Sequence, residues 1–404
     1  MPQFDFSKEY GVVLEGGGAK GAYQIGVWKA MQECGMKIKG ISGVSVGALN
    51  GALMCMGDIK KAESIWENIS YSQVMQVDDE QMNHLMNLNL KQLDLKLLSK
   101  TVIKFLTDGG LNIDPLKQLI DECVDEEKII NSPIELLLGT FLVTGFKELE
   151  IPVNADNGEY LKDYLLASAY FPAFKNEKLH GKKYMDGGII NNVPVDRLIK
   201  RGYKNIIVVR IYGIGLEKRI KIPEDVEIIQ IAPRVELGNL LDFDSKKSIR
   251  NMKIGYYDGL RVFRSLKGYI YYIESALSEE ECIHRLVQSN EYAQMAFLEY
   301  YHLDYDDASM YLRNLLEKVL PMIAEELKLS KHWGYEELYL SMLELCAKNV
   351  RVQKYKVYTV GELIVNIREK YKMLKARDKN FRLPLFIDLV MNLVVISNES
   401  NPMV

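Results

Sequence analysis

Ile41-Ser42-Gly43-Val44-Ser45-Val46-Gly47-Ala48-Leu49-Asn50 is the stretch on which the reading of this chain turns. It sets a serine between two glycines, where a short apolar run meets a helix-like one. A nucleophilic serine on a sharp strand-to-helix turn holds a strained backbone. Side chains two residues before or after it would collide with the neighbouring strand or helix, so glycine is needed at both places. The hydroxyl then stands clear of the sheet, above the positive end of the following helix. The same spacing arises by chance in roughly one chain in ten of this length, so its meaning depends on the rest of the sequence.

Upstream, Gly11-Val12-Val13-Leu14-Glu15 reads as a buried parallel strand that runs into Gly16-Gly17-Gly18-Ala19-Lys20-Gly21. A helix opens at about Ala22 and stops at Gly35, and residues 36–44 supply a second strand leading to Ser45. After Ser45, the small side chains of Ala48, Leu49, Ala52 and Leu53 suit a helix packed closely on a sheet. This βαβα start predicts a right-handed crossover and a doubly wound, mostly parallel sheet flanked by helices. Further core elements are expected as a helix at 114–123, a strand at 136–144 with a hairpin partner at 149–153, and a helix at 159–168. Buried strands follow at 205–211 and 226–232, then a long helix at 245–266 and a last strand at 268–273.

Two regions stand apart. Residues 71–108 mix Met75, Met82, Met86 and a run of leucines with Lys91, Lys96, Lys100 and Lys104, which reads as a helical insertion: a cap on the sheet, or a cationic amphipathic lid that meets lipid. After about Ser275 the strand signals fade. Ser278-x-x-Glu281 and Thr359-x-x-Glu362 are capping boxes. One-sided stripes run through Leu312, Leu315, Leu316, Val319, Leu320 and Ile323, and through Tyr335, Leu338, Tyr339, Met342 and Cys346. The expected organisation is an α/β domain over 1–275 and an all-helical module over 276–404.

The 404 residues carry a net charge of −4, which argues against a dedicated nucleic-acid binder. Five scattered cysteines without a C-x-x-C pair read as reduced thiols of a cytoplasmic protein. The N-terminus has no signal-peptide pattern, and the apolar run at 384–396 is far short of the ~20 residues that span a bilayer. Any membrane contact is expected to be peripheral.

The chemistry begins with Gly16-x-Gly18-x-x-Gly21. After a strand and before a helix, this is the setting of a dinucleotide fingerprint. That use needs an acid near the end of the second strand to hold a ribose, and 36–57 contains none. The other use is as an oxyanion hole, with the backbone N–H groups of Gly16, Gly17 and Gly18 converging beside a helix start. Lys20 would add positive potential or meet a phosphate. Of the histidines, only His180 in Leu179-His180-Gly181 is a serious base for Ser45. Asp186-Gly187-Gly188 is the other solution: a carboxylate at a strand end, followed by two glycines, can approach the serine directly, although Asp-Gly is also a common turn.

Together these residues resemble the patatin-like phospholipases. The resemblance is carried by Gly16-Gly17-Gly18-Ala19-Lys20-Gly21, Gly43-Val44-Ser45-Val46-Gly47, Ala167-Ser168-Ala169-Tyr170-Phe171-Pro172, and Asp186-Gly187-Gly188 with Asn192-Val193-Pro194. It covers about residues 8–275. It implies a patatin-like fold and a Ser-Asp dyad with Ser45 as nucleophile and Asp186 as its activator. It further implies backbone N–H groups of the 16–18 loop on the oxyanion, and two-step hydrolysis of lipid or phospholipid esters without metal or organic cofactor. Lys20 fills a position where the family usually has Arg or Lys. The alternatives are a hydrolase of another acyl ester, such as a neutral lipid or thioester, and a non-enzymatic glycine-rich nucleotide-binding or scaffold protein. Oligomeric state is not legible.

Overall fold

The computed structural model describes residues 4–87, 110–175, 177–289, 291–303 and 312–396. It divides into two compact units, Met1–Arg264 and Ser265–Val404.

In the first unit, β1 (Glu9–Leu14) lies between β2 (Lys37–Val44) and β6 (Asn205–Val209). β3 (Glu135–Leu142) extends the sheet beyond β2, and β7 (Glu227–Ile231) beyond β6, all parallel. β4 (Lys147–Pro152) and the short β5 (Tyr184–Asp186) both run antiparallel to β3. The sheet order is β4-β3-β2-β1-β6-β7, with β5 paired to β3 off this path. The expected mostly parallel sheet is therefore present, with an antiparallel margin around β3.

β1 is buried along nearly its whole length because helices cover both faces. On one face Val13, Leu137, Ile206 and Val208 pack with Val195 and Leu198. The latter two lie on a short helix, Val195–Lys200. Elsewhere α1 (Ala22–Glu33) lies against α3 (Ser245–Phe263), with α2 (Val46–Met56) between them in sequence. The α1–α3 approach is close: a Cβ on Gly26 would sit 2.7 Å from the Tyr256 nitrogen, so glycine sets the helix separation.

Of the insertion expected at 71–108, residues 88–108 lie outside the described residues. Before them, Met75 and Met82 are buried.

The second unit has its own core, in which Leu338, Tyr339, Met342 and Cys346 of helix Tyr335–Asn349 meet Leu315, Val319, Leu320 and Ile323. Leu312 is 44% exposed and departs from its stripe. Both capping boxes form. Two expectations are corrected. The strand assigned to 268–273 is Tyr272–Glu274, and it does not extend the large sheet. It pairs in parallel with Val357–Thr359, so the C-terminal module is helical with one two-stranded ribbon. The boundary also falls at 264/265 instead of 275/276. The reason is a buried carboxylate: Glu344 accepts the N–H groups of Tyr269, Ile270 and Tyr271 at 2.9, 2.8 and 2.6 Å, which fixes this segment to helix Tyr335–Asn349. Among the described residues, no helix is long and apolar enough to cross a membrane.

Candidate active site

Ser45 sits at the end of β2 with φ 53° and ψ −128°, a conformation that L-residues rarely hold. The flanking glycines make it possible. A Cβ on Gly43 would lie 2.5 Å from the Gly47 carbonyl carbon, and one on Gly47 would lie 2.8 Å from the Leu14 carbonyl carbon. The Ser45 N–H donates to Ser168 Oγ at 2.9 Å, and Ser168 Oγ donates to the Gly139 carbonyl at 2.6 Å. The elbow is thus tied to β3.

β3 also brings Asp186 to the serine. Val44 is registered with Gly139, and Asp186 with the next residue, Thr140. β5 therefore continues along β3 where β2 stops, and places Asp186 beside Ser45. Thr140 Oγ1 lies 3.0 Å from both the Ala167 and Met185 carbonyls, and the Asp186 N–H donates to Tyr170 at 2.8 Å. The carboxylate accepts the Gly188 N–H at 2.8 Å. Burial pushes its pKa up to about 6; contacts from the Ser45 hydroxyl and the Gly188 N–H hold it from rising further.

The glycine loop faces the same space, but its three members differ. The Gly16 N–H donates to the Asn192 carbonyl at 3.3 Å, and Asn192 Nδ2 returns a bond to the Gly16 carbonyl at 3.1 Å. Gly16 is thereby occupied. Its lack of a side chain still matters, because a Cβ there would come within 3.2 Å of Ser45 Cβ. The N–H groups of Gly17 and Gly18 have no partner among the described residues, and both glycines line the pocket.

Behind the loop lies a feature that the motif reading missed. The buried Glu15 carboxylate accepts the N–H groups of Ile211, Tyr212 and Gly213 at 2.6, 3.0 and 3.1 Å, and Arg210 Nε at 2.9 Å. It draws the 210–213 segment against the glycine loop. Lys20 belongs to the same clasp. Its ammonium donates to the Tyr212 carbonyl at 2.7 Å, partial burial lowers its pKa, and it does not line the pocket. The structure places it as a tie between loops, outside the pocket lining. His180 lies elsewhere: it is exposed, its Nε2 is 2.7 Å from Asp163, and it does not line the pocket.

Ser45, Gly17, Gly18 and Asp186 open onto a cavity of about 350 Å³ whose walls are overwhelmingly apolar. Leu53, Trp66, Ile69, Leu116, Ile120 and Phe174 supply much of it. No lysine, arginine or histidine lines it, and Asp186 is the one carboxylate that does, among the described residues. The volume falls within the ≈300–1,000 Å³ usual for small-molecule sites.

The fold and the site define an α/β protein with a serine elbow and an adjacent buried aspartate at an apolar pocket. Residues 12–199, just under half of the chain, match the family described as Patatin-like phospholipase. The chain is 29% identical over 199 residues to neuropathy target esterase sws of Drosophila melanogaster, covering 49% of this chain and 12% of that protein. It is 28% identical over 201 residues to patatin-like phospholipase domain-containing protein 7 of Rattus norvegicus, covering 49% and 13%. It thus spans about an eighth of the length of these curated relatives. Among solved structures, VipD from Legionella pneumophila aligns with a TM-score of 0.37 and 15% identity over 97% of this chain and 91% of VipD. The type III effector ExoU aligns with a TM-score of 0.30 and 17% identity over 95% and 76%.

Proposed function

We propose that this protein is a lipid acyl hydrolase that cleaves carboxylic esters through a Ser45–Asp186 dyad. The observation that carries the reading is the register of β2 and β5 on β3, which sets the serine and the buried aspartate side by side at an apolar pocket. With the acyl chain in the pocket, Ser45 Oγ attacks the ester carbonyl carbon and its proton passes to the Asp186 carboxylate. The carbonyl π electrons move onto oxygen, and the Gly17 and Gly18 N–H groups receive that charge, each good donor lowering the barrier by on the order of 3 kcal/mol. Collapse breaks the ester C–O bond, and the departing alcohol takes the proton from Asp186. Water then repeats the sequence on the acyl-serine, giving the fatty acid and restoring Ser45. A base near pH 6 is suited to this work because it is ionised at neutral pH yet more basic than an ordinary carboxylate.

The apolar walls of the pocket suit an acyl chain. Phospholipid, lysophospholipid and other acyl esters all fit that description. The reading is tested by labelling with a fluorophosphonate probe, which should be lost in Ser45→Ala. Absence of labelling in the unaltered protein, where a control serine hydrolase reacts, would favour a non-catalytic role. Mass spectrometry of products from mixed lipid vesicles then identifies the substrate.

A further inference from the structure

Tyr212, Ile214, Leu216 and Ile222 are 53%, 66%, 64% and 48% exposed. Four large apolar side chains on one short surface loop form a concentration that soluble proteins rarely leave uncovered without a partner. The loop backbone is nonetheless held: Leu216 N–H donates to the Gly188 carbonyl at 3.0 Å, and the Leu216 carbonyl accepts from Asn192 N–H at 2.7 Å. These side chains are therefore presented outward from a fixed base.

Exposed cations are interleaved with them. Lys218 is tied to Glu148 and Asp196 at 3.2 and 3.6 Å, whereas Arg219 and Lys221 have no ion-pair partner among the described residues. Of the neighbouring acids, Glu217 is taken up by Arg210 and Asp225 by Lys204, while Glu224 has no ion-pair partner among the described residues and leaves the two free cations in excess. The loop is also continuous with the pocket. Ile214 and Gly215 line it, and with Pro172 they are its exposed lining residues among those described. The mouth thus opens through the apolar loop.

We propose that residues 212–222 dock the protein onto an anionic lipid surface, with Leu216 and Ile222 entering the acyl boundary and Arg219 and Lys221 meeting the lipid charges. The proposal rests on the acyl-hydrolase reading for its purpose. An acyl chain drawn into water loses about fourfold in partition per methylene, and a mouth seated on the bilayer avoids that passage.

The test is co-sedimentation of the full chain with phosphatidylcholine vesicles containing about one third phosphatidylglycerol, against phosphatidylcholine alone. Hydrolysis of a water-soluble short-chain ester is followed in parallel. The unaltered protein should prefer the anionic vesicles. Arg219→Gln with Lys221→Gln should weaken binding roughly 25-fold, at about fivefold per cation. Leu216→Ser with Ile222→Ser should weaken it about tenfold or more. Both pairs should hydrolyse the soluble ester as the unaltered protein does. Equal binding by either pair, no preference for the anionic vesicles, or no vesicle binding at all would overturn the proposal. If the serine pair failed to fold, the glutamine pair alone would decide. Failure of soluble-ester hydrolysis in the unaltered protein, with vesicle binding intact, would refute the hydrolase reading and leave the docking surface standing.

Discussion

Asp186 carries the largest consequence of any single side chain. Its pKa of about 6 lies above the ordinary 3.8 because the charged form is buried. As the proposed proton acceptor it must be ionised, so kcat/KM should fall tenfold per unit as pH drops below about 6, measured on a substrate that does not titrate. The stability effect has the opposite sense. A raised carboxyl favours folding fully below about 4, and that contribution is lost as pH rises through 6. Asp186→Asn should therefore raise the melting temperature at pH 7–8, by up to about 3 kcal/mol of stability, while turnover falls by on the order of 10⁴. Calorimetry and kinetics on one preparation check both halves. Glu15 acts at one remove. Glu15→Gln keeps the shape but presents an NH₂ group to a ring of N–H donors, which should loosen the glycine loop. The expected result is a kcat lower by about 10- to 100-fold with KM changed little, because in the proposed mechanism the loop serves the oxyanion more than the acyl chain. Ser45 and Asp186 were legible in sequence because each sits in a short glycine-marked motif. The bonding roles of Glu15, Ser168 and Arg210 were not, because those bonds span 195, 123 and 195 residues, although Ser168 itself lay in a quoted motif.

Among the elements, β3 has the central part. It accepts β2 on one half of its edge and β5 on the other, so consecutive residues Gly139 and Thr140 set the separation of serine and aspartate. Thr140→Val keeps the volume but deprives two buried carbonyls of their hydroxyl partner. It should cost about 1–3 kcal/mol in denaturant unfolding and lower kcat, since β5 loses one of its anchors to β3. Gly47→Ala should be worse, because its new methyl meets the carbonyls of Leu14 and Glu15, both parts of backbone. An insoluble or strongly destabilised product is expected, by several kcal/mol if it folds. The main strands and helices were legible from apolar runs and helical spacing. The three-residue β5 was visible only as a carboxylate at a strand end, and its partner was not, since pairing depends on where β2 stops.

For the whole molecule, the buried core of the second unit is drawn from its own residues, 271–395. Residues 265–404 expressed alone should therefore fold and melt cooperatively, which circular dichroism checks. A non-cooperative melt would show that its core is insufficient. By themselves, the residues determined the local and short-range features. These are the strained elbow between two glycines, the glycine loop after a buried strand, the Asp-Gly-Gly turn, the capping boxes and the parallel sheet implied by βαβα order. Each depends on contacts within a few positions or on periodicity. Tertiary structure alone decided the rest. It gave Gly16 to Asn192 and left the Gly17 and Gly18 N–H groups without a partner among the described residues, turned Lys20 into a tie between loops, and sent Tyr272–Glu274 to Val357–Thr359. It also assembled the apolar pocket behind Ser45. These outcomes depend on which distant donors and acceptors burial brings together, and a buried polar group must take whatever partner the fold delivers.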